Sequence, residues 1–197
     1  MATSLRILVA EDEPLSAMAL QAQLEALGHV VVGPAHNGRD AVELGRNALV
    51  DLAILDVRMP GLSGLDAAQE LAAIKEVPVI LLSGYSDPEM IEQATRAPIF
   101  HYLVKPVSMA DLGPAIAVAM TRFHEWQEYK GEAAELEQKI ADRKLVEQAK
   151  GLLMEARGLS EGDAYRLLQK ESQNRNQPMV EIARSILMAD SLLREEP

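Results

Sequence analysis

Asp56 closes a short apolar run, Leu52-Ala-Ile-Leu55, and is followed by Val57-Arg-Met-Pro-Gly61. The run has the length and composition of a buried strand, and the proline and glycine behind it force a turn. A carboxylate at the carboxyl end of such a strand lies where open α/β sheets bind ligands, in the crevice above the strand ends. Other reactive side chains occupy equivalent places. Glu11 and Asp12 follow the apolar run 5–10, Ser83 follows 77–82, and Lys105 follows 99–104. Three carboxylates brought together repel one another, and a hard divalent cation relieves that repulsion. Mg²⁺ prefers oxygen ligands and keeps several waters, so Glu11, Asp12, Asp56 and the backbone carbonyl of Arg58 suffice to hold it. Asp56 is already ionised and needs no general base to attack a phosphoryl donor, because carboxylates form acyl-phosphates. The Lys105 ammonium and the Ser83 hydroxyl then supply the groups that hold phosphoryl oxygens.

Such convergence demands strands lying side by side with their ends aligned. The pattern predicts strands over 5–10, 29–33, 52–56, 77–82 and 99–104, alternating with helices over 14–27, 39–49, 64–74, 87–96 and 109–120. Pro14 suits a first helical turn, Gly28 stops that helix, Asn37-Gly38 makes a turn, and Ser108 is an N-cap. Five successive βα units imply a parallel sheet covered on both faces, since parallel strands need helical crossovers. The expected fold is α/β, a five-stranded doubly wound parallel sheet of flavodoxin-like order 2-1-3-4-5. That order sets the polar strand ends beside the switch point between strands one and three.

Residues 5–120 resemble the receiver domain of bacterial two-component response regulators. The resemblance rests on the acidic pair Glu11-Asp12, on Asp56 ahead of Met59-Pro-Gly61, on Ser83, and on Lys105 before Pro106. Tyr102, three residues before the lysine, matches the aromatic switch position of that family. The resemblance implies phosphorylation of Asp56 by a sensor histidine kinase. It also implies a change carried through Ser83 and Tyr102 to the face built by strand five and the helices on either side of it. The chain departs from the pattern at Ala97-Pro98-Ile99, where receivers usually carry Gly-Ala, and a proline there reshapes the loop. No second acid–base group accompanies Asp56, so the expectation is no turnover enzyme, only self-phosphorylation and slow hydrolysis.

The bulk numbers allow one large domain or two small ones. The chain has 197 residues, 48% hydrophobic and 25% charged, and a formal net charge of −11. So acidic a chain is a poor non-specific binder of polyanions, and a nucleic-acid contact has to come from the nearly balanced stretch 138–184. The absence of cysteine excludes disulfides, thiol catalysis and zinc-thiolate sites. No apolar run approaches the ~20 residues that span a bilayer, and the start lacks a signal pattern, so the expected location is cytoplasmic with no membrane partner. The four histidines show no ligand spacing.

Beyond 121 the pattern becomes continuously helical. Trp126, Tyr129, Ala133, Leu136 and Ile140 follow the spacing of a coiled-coil seam, which a partner copy of the chain or the chain's own neighbours could cover. The helix runs on to Gly158. Ser160-Glu-Gly-Asp163 resembles a capping box, the polar stretch 172–177 reads as a loop, and Pro178 opens a last helix. Three such helices bury a core only as a bundle. The chain thus divides into 1–121, a connector over 122–141, and a three-helix bundle over 142–197.

The segment 138–188 resembles the ANTAR domain, the RNA-binding output module of transcription antiterminators. Ala149-Lys-Gly-Leu-Leu-Met154, Gly158-Leu-Ser160, Ala164-Tyr165, Leu168 and Ala183 carry the resemblance, while Ser172 stands where that family commonly has alanine. It implies binding of paired RNA hairpins in a leader transcript, usually as a homodimer. Candidate RNA contacts are Lys150, Tyr165 and Arg166, then Lys170, Arg143 and Arg175, as stacking and phosphate-binding side chains. The competing readings are a phosphorylation-dependent protein-interaction module and a DNA-binding regulator.

Overall fold

The protein is described here by a computed structural model, in which residues 4–84 and 99–194 are defined. The helix expected over 87–96 and the Ala97-Pro98 departure lie outside the described residues. The chain forms two compact units, Met1–Gln127 and Glu128–Pro197.

In the first unit, β1 (Arg6–Ala10), β2 (Val30–Ala35), β3 (Leu52–Asp56), β4 (Val79–Ser83) and β5 (Ile99–Val104) form one sheet. Its order is β2-β1-β3-β4-β5 and every pair is parallel, as the alternating pattern requires. Period-two alternation sends Leu8 and Ala10 to one face and Ile7 and Val9 to the other, so each face has its own core. One face packs on α2 (Gly38–Asn47) and α3 (Gly64–Ile74), through Ala41, Val42, Leu65, Ala68 and Leu71. The other packs on α1 (Pro14–Ala26) and on the start of α4 (Met109–Arg157), through Leu20, Leu24, Leu112 and Ile116. Leu52, Ile54 and Leu55 of the central strand are wholly buried, each worth roughly 1.5–3 kcal/mol on transfer from water.

Side-chain caps set where the helices begin. The Asn37 side chain accepts from the Asp40 amide at 2.9 Å, and Ser63 Oγ accepts from that of Asp66 at 3.1 Å. Pro14 starts α1, and Gly28, at φ +88°, follows its end. Strand β2 runs two residues past the expected end at Gly33. The register with β1 shifts between Leu8 and Ala10, so a bulge at Gly33-Pro34 absorbs a residue on this edge strand, where proline is tolerated. The root of α4 docks on the edge of the sheet through rings: Phe100 meets Phe123 edge-on at 5.5 Å, and Phe123 stacks on Trp126 at 6.0 Å.

The second unit holds the last turns of α4, α5 (Glu161–Arg175) and α6 (Met179–Arg194) around Ala149, Leu153, Ala164, Leu168, Ile182 and Ala183. The bundle expected from the sequence is therefore present. The loop expected from 172 is corrected: α5 continues to Arg175, and Asn176 ends it in the left-handed conformation at φ 50°. Polar residues on a solvated face do not break a helix, and the pair Arg175–Glu171, one turn apart, supports it. Tyr129, Leu136 and Ile140 of the expected seam are exposed along α4. No helix among the described residues is long and apolar enough to cross a membrane.

At the amino ends of β1 and β3, the Asp51 carboxylate accepts from the Arg6 amide at 2.8 Å, from Nε at 2.9 Å and from Nη2 at 2.7 Å. The Arg6 hydrogen bonds hold the Asp51 carboxyl below its ordinary value of 3.8. A group whose value is depressed by folding stabilises fully above its unfolded value and loses that contribution as pH falls through the folded one. Asp51→Asn should therefore lower the melting temperature at pH 7, and the gap from the wild type should close as pH drops below 3.8. Thermal melts of both proteins across pH check this.

Candidate functional site

Each reactive side chain is delivered by a strand end. Glu11 follows β1, and its amide donates to the Ala35 carbonyl at 3.0 Å, a bond that the bulged end of β2 makes available. Behind it, His36 Nδ1 lies 3.1 Å from the Glu11 carbonyl oxygen, a hydrogen bond made when that nitrogen carries the proton. Asp56 ends β3, and Ser83, also buried, ends β4. Lys105 follows β5, its amide donating to the Ser83 carbonyl at 2.9 Å.

These placements bring the groups together as the sequence implied. Lys105 Nζ is 2.6 Å from Glu11 Oε2 and 2.6 Å from Asp56 Oδ2. Glu11 is 1% exposed and Asp56 6%, whereas Asp12 faces solvent. Carboxylate oxygens of Glu11, Asp12 and Asp56 all lie within 4.8 Å of one another. Asp56 Oδ1 accepts from the Arg58 amide at 3.2 Å. The sequence singled out only the Arg58 carbonyl, so the amide is an addition.

The electrostatics follow from the crowding. Burial raises the Glu11 carboxyl above its ordinary range, working against the Lys105 hydrogen bond and with the repulsion from Asp56. Burial acts to lower the Lys105 ammonium, but its hydrogen bonds to Asp56 and Glu11 outweigh that and keep it above the usual lysine value. One ammonium thus faces three carboxyl groups, and the surplus negative charge opens to solvent at Asp12. An all-oxygen donor set, two members buried and one exposed, fits a hard divalent cation that retains waters. Tyr102 is half-buried against the α2–α3 core, and burial raises its phenol.

Sequence reasoning missed Gly64. A Cβ there would run into the carbonyl oxygen and carbon of Asp56, so only glycine lets α3 start against the Asp56 backbone. The Gly64 amide donates to the Val57 carbonyl at 3.1 Å, closing the turn below Asp56. The available signal was Ser63-Gly64-Leu65-Asp66, a cap with glycine in the first helical position.

In the second unit the RNA candidates fall into two kinds. Tyr165, Arg166 and Lys170 are exposed on α5, with Arg175 near its end and Arg143 exposed on α4. Arg166 pairs with Asp163 at 2.7 Å and Arg175 with Glu171 at 3.3 Å. Lys150 is different. Its side chain is only 10% exposed, and Nζ lies 2.6 Å from Glu147 Oε2 and 2.8 Å from Glu161 Oε1.

Residues 7–117 match the response regulator receiver domain family, more than half of the chain. The chain belongs to the response regulators. Residues 134–187 of this response regulator match the ANTAR domain family. It is 42% identical over 182 residues to the transcriptional regulatory protein PdtaR of Mycobacterium tuberculosis, an alignment covering 92% of this chain and 89% of PdtaR. Among solved structures it is similar to the receiver domain of a modulated diguanylate cyclase from Desulfovibrio desulfuricans. The TM-score is 0.58 at 34% identity, covering 62% of this chain and 98% of that one. It is also similar to the receiver domain of a sensor histidine kinase from Pseudomonas aeruginosa, with a TM-score of 0.52 at 30% identity. That match covers 57% of this chain and 93% of the other, whose structure has a magnesium ion coordinated in its active site cleft.

The close approach at Gly64 makes a specific prediction. Gly64→Ala should destabilise the response regulator by about 1–3 kcal/mol, as overpacking against backbone does. Gly131→Ala, with open space around the new methyl in mid-helix, should stabilise by up to ~1 kcal/mol. Urea unfolding of the two variants checks the contrast.

Proposed function

We propose that this response regulator is phosphorylated on Asp56 by a sensor histidine kinase. Phosphorylation then controls binding of the C-terminal helices to paired RNA hairpins in a leader transcript, relieving termination. The observation that carries the reading is the Lys105 ammonium, 2.6 Å from both Glu11 and Asp56 beside an all-oxygen acidic cluster.

The Asp56 carboxylate, held by Lys105 on Oδ2 and by the Arg58 amide on Oδ1, has its orientation fixed before any donor arrives. One of its oxygens attacks the phosphorus of a phosphohistidine, the P–N bond breaks, and the imidazole leaves. Glu11, Asp12, Asp56 and the Arg58 carbonyl would hold Mg²⁺, which when bound neutralises charge on the transferring phosphoryl group. The magnesium of the Pseudomonas aeruginosa receiver supports this assignment. Once Asp56 is phosphorylated its formal negative charge passes to the phosphoryl oxygens, and Lys105 moves its hydrogen bond to one of them. Ser83, buried at the end of β4, donates its hydroxyl to another, and Tyr102 follows into the α2–α3 core. The phosphate is later lost to water without any second substrate, so the protein is a switch and not a turnover enzyme.

The exposed seam of Tyr129, Leu136 and Ile140, with Trp126 and Ala133, serves to pair two copies of α4 as a homodimer. The RNA face is the exposed side of α5, where Tyr165 offers a stacking ring and Arg166 and Lys170 offer cations, flanked by Arg143 and Arg175. The match to the ANTAR family and the likeness to PdtaR, a transcriptional regulatory protein, support this half.

Two measurements test the proposal. With a labelled phosphodonor and Mg²⁺, Asp56→Asn should incorporate no acid-stable, base-labile phosphate, and incorporation equal to wild type removes Asp56 as the acceptor. Hairpin RNA binding should weaken with salt, and Arg166→Ala should reduce affinity about three- to tenfold. Equal binding of hairpin RNA and duplex DNA would favour a general nucleic-acid binder instead.

A further inference from the structure

Lys150 is nearly buried in a solvated bundle, and its ammonium meets two carboxylates from different places in the chain. Glu147 lies one turn earlier on α4, while Glu161 is the first residue of α5, across the Gly158 turn. The contact with Glu161 joins two helices, whereas the pairs Arg166–Asp163, Arg175–Glu171 and Arg184–Glu181 each lie within one helix. Glu161 adjoins the Ser160 cap, whose Oγ accepts from the Asp163 amide at 3.2 Å and donates to Asp163 Oδ2 at 2.6 Å. The other Asp163 oxygen accepts from Arg166 Nη2 at 2.7 Å. The first turn of α5 thus carries both the Lys150–Glu161 pair and the Ser160–Asp163–Arg166 contacts, the last one residue from Tyr165.

We infer that Lys150 is a positioning residue: it pins the first turn of α5 and so aims Tyr165 and Arg166 at RNA, without itself touching a phosphate. This rests on the RNA-binding reading above and refines it. Three facts separate pin from ligand. The side chain has little surface to offer a phosphate. Both of its strong contacts are anionic, so a phosphate would have to displace a carboxylate already in place. Other cations of the same unit, Arg143 and Lys170 among them, are exposed and open to a polyanion. The bridge also spans the turn at Gly158, which sits at φ +62° with open space where a Cβ would be.

The two roles predict opposite signs for one variant. A phosphate ligand next to Glu161 would bind more tightly once that acid is neutralised, so Glu161→Gln would strengthen RNA binding. A pin loses its anchor, so Glu161→Gln should weaken binding about two- to fivefold, the range for an ion pair whose acid is 72% exposed. Lys150→Met, which keeps the packed stem, should do the same. In both variants the slope of log affinity against log salt should stay at the wild-type value, whereas a lost phosphate contact would reduce it by about one.

The probe is a labelled tandem-hairpin RNA enriched by the full wild-type chain from a pool with randomised loops. Affinity is read by anisotropy at several salt concentrations, and folding of each variant by circular dichroism and melting. Amide exchange is measured alongside: in Lys150→Met the amides of the first turn of α5 should exchange faster, with those of the β1–β4 core unchanged. Tighter binding by Glu161→Gln, or a salt slope lowered by about one in Lys150→Met, overturns the inference. Failure of any RNA to be enriched by the wild type overturns the RNA reading instead, and the exchange data then decide whether the pin exists.

Discussion

One constraint organises the receiver half: three carboxyl groups share a space that can hold them only with compensating positive charge. Lys105 supplies part of it, bridging Glu11 and Asp56 at 2.6 Å each. The remainder is left open on the Asp12 side, facing water. A buried like-charged cluster of this kind opposes folding unless it is paired, so its retention points to function. Every other feature of the sheet can be understood as bringing those charges close without letting them relax apart. Parallel order places the strand ends at a common rim, and the buried strand bodies below leave the side chains no route away from it.

Backbone geometry does the fine placement. The bulge at Gly33-Pro34 lets Ala35 receive the Glu11 amide, and the cap at Ser63 with the bare Gly64 brings α3 against the Asp56 peptide. These positions carry no reactive group, yet a methyl at Gly64 would disturb the Asp56 peptide. In the second unit the same division holds between residues that meet solvent and one, Lys150, that fixes where they point.

Much of this was legible beforehand because it rests on local pattern. Alternating runs and helical spacing fix sheet order through chain connectivity, and strand-end positions make Glu11, Asp12, Asp56, Ser83 and Lys105 converge. Contacts that depend on three-dimensional closeness were not legible. Nothing in the letters says that Lys105 bridges to Glu11 as well as to Asp56, or that His36 backs the acidic loop. Lys150 looked like a surface cation because a helix sequence does not state which side of it a following helix will cover. Polarity from Ser172 to Arg175 reads as a loop, while the pair Glu171–Arg175, one turn apart, supports the helix that forms. A left-handed asparagine, and not polarity, ends that helix.

The Arg6–Asp51 clamp and the acidic pocket sit at opposite ends of the same two strands, with Ile7 opposite Leu52 and Ala10 opposite Leu55. The span from Asp51 to Asp56 is consequently a ruler with both ends engaged. Adding or deleting one residue within it would turn the Asp56 side chain toward the wrong layer or unhook the arginine. The segment therefore tolerates exchanges of side chain at constant length, but not a change of length.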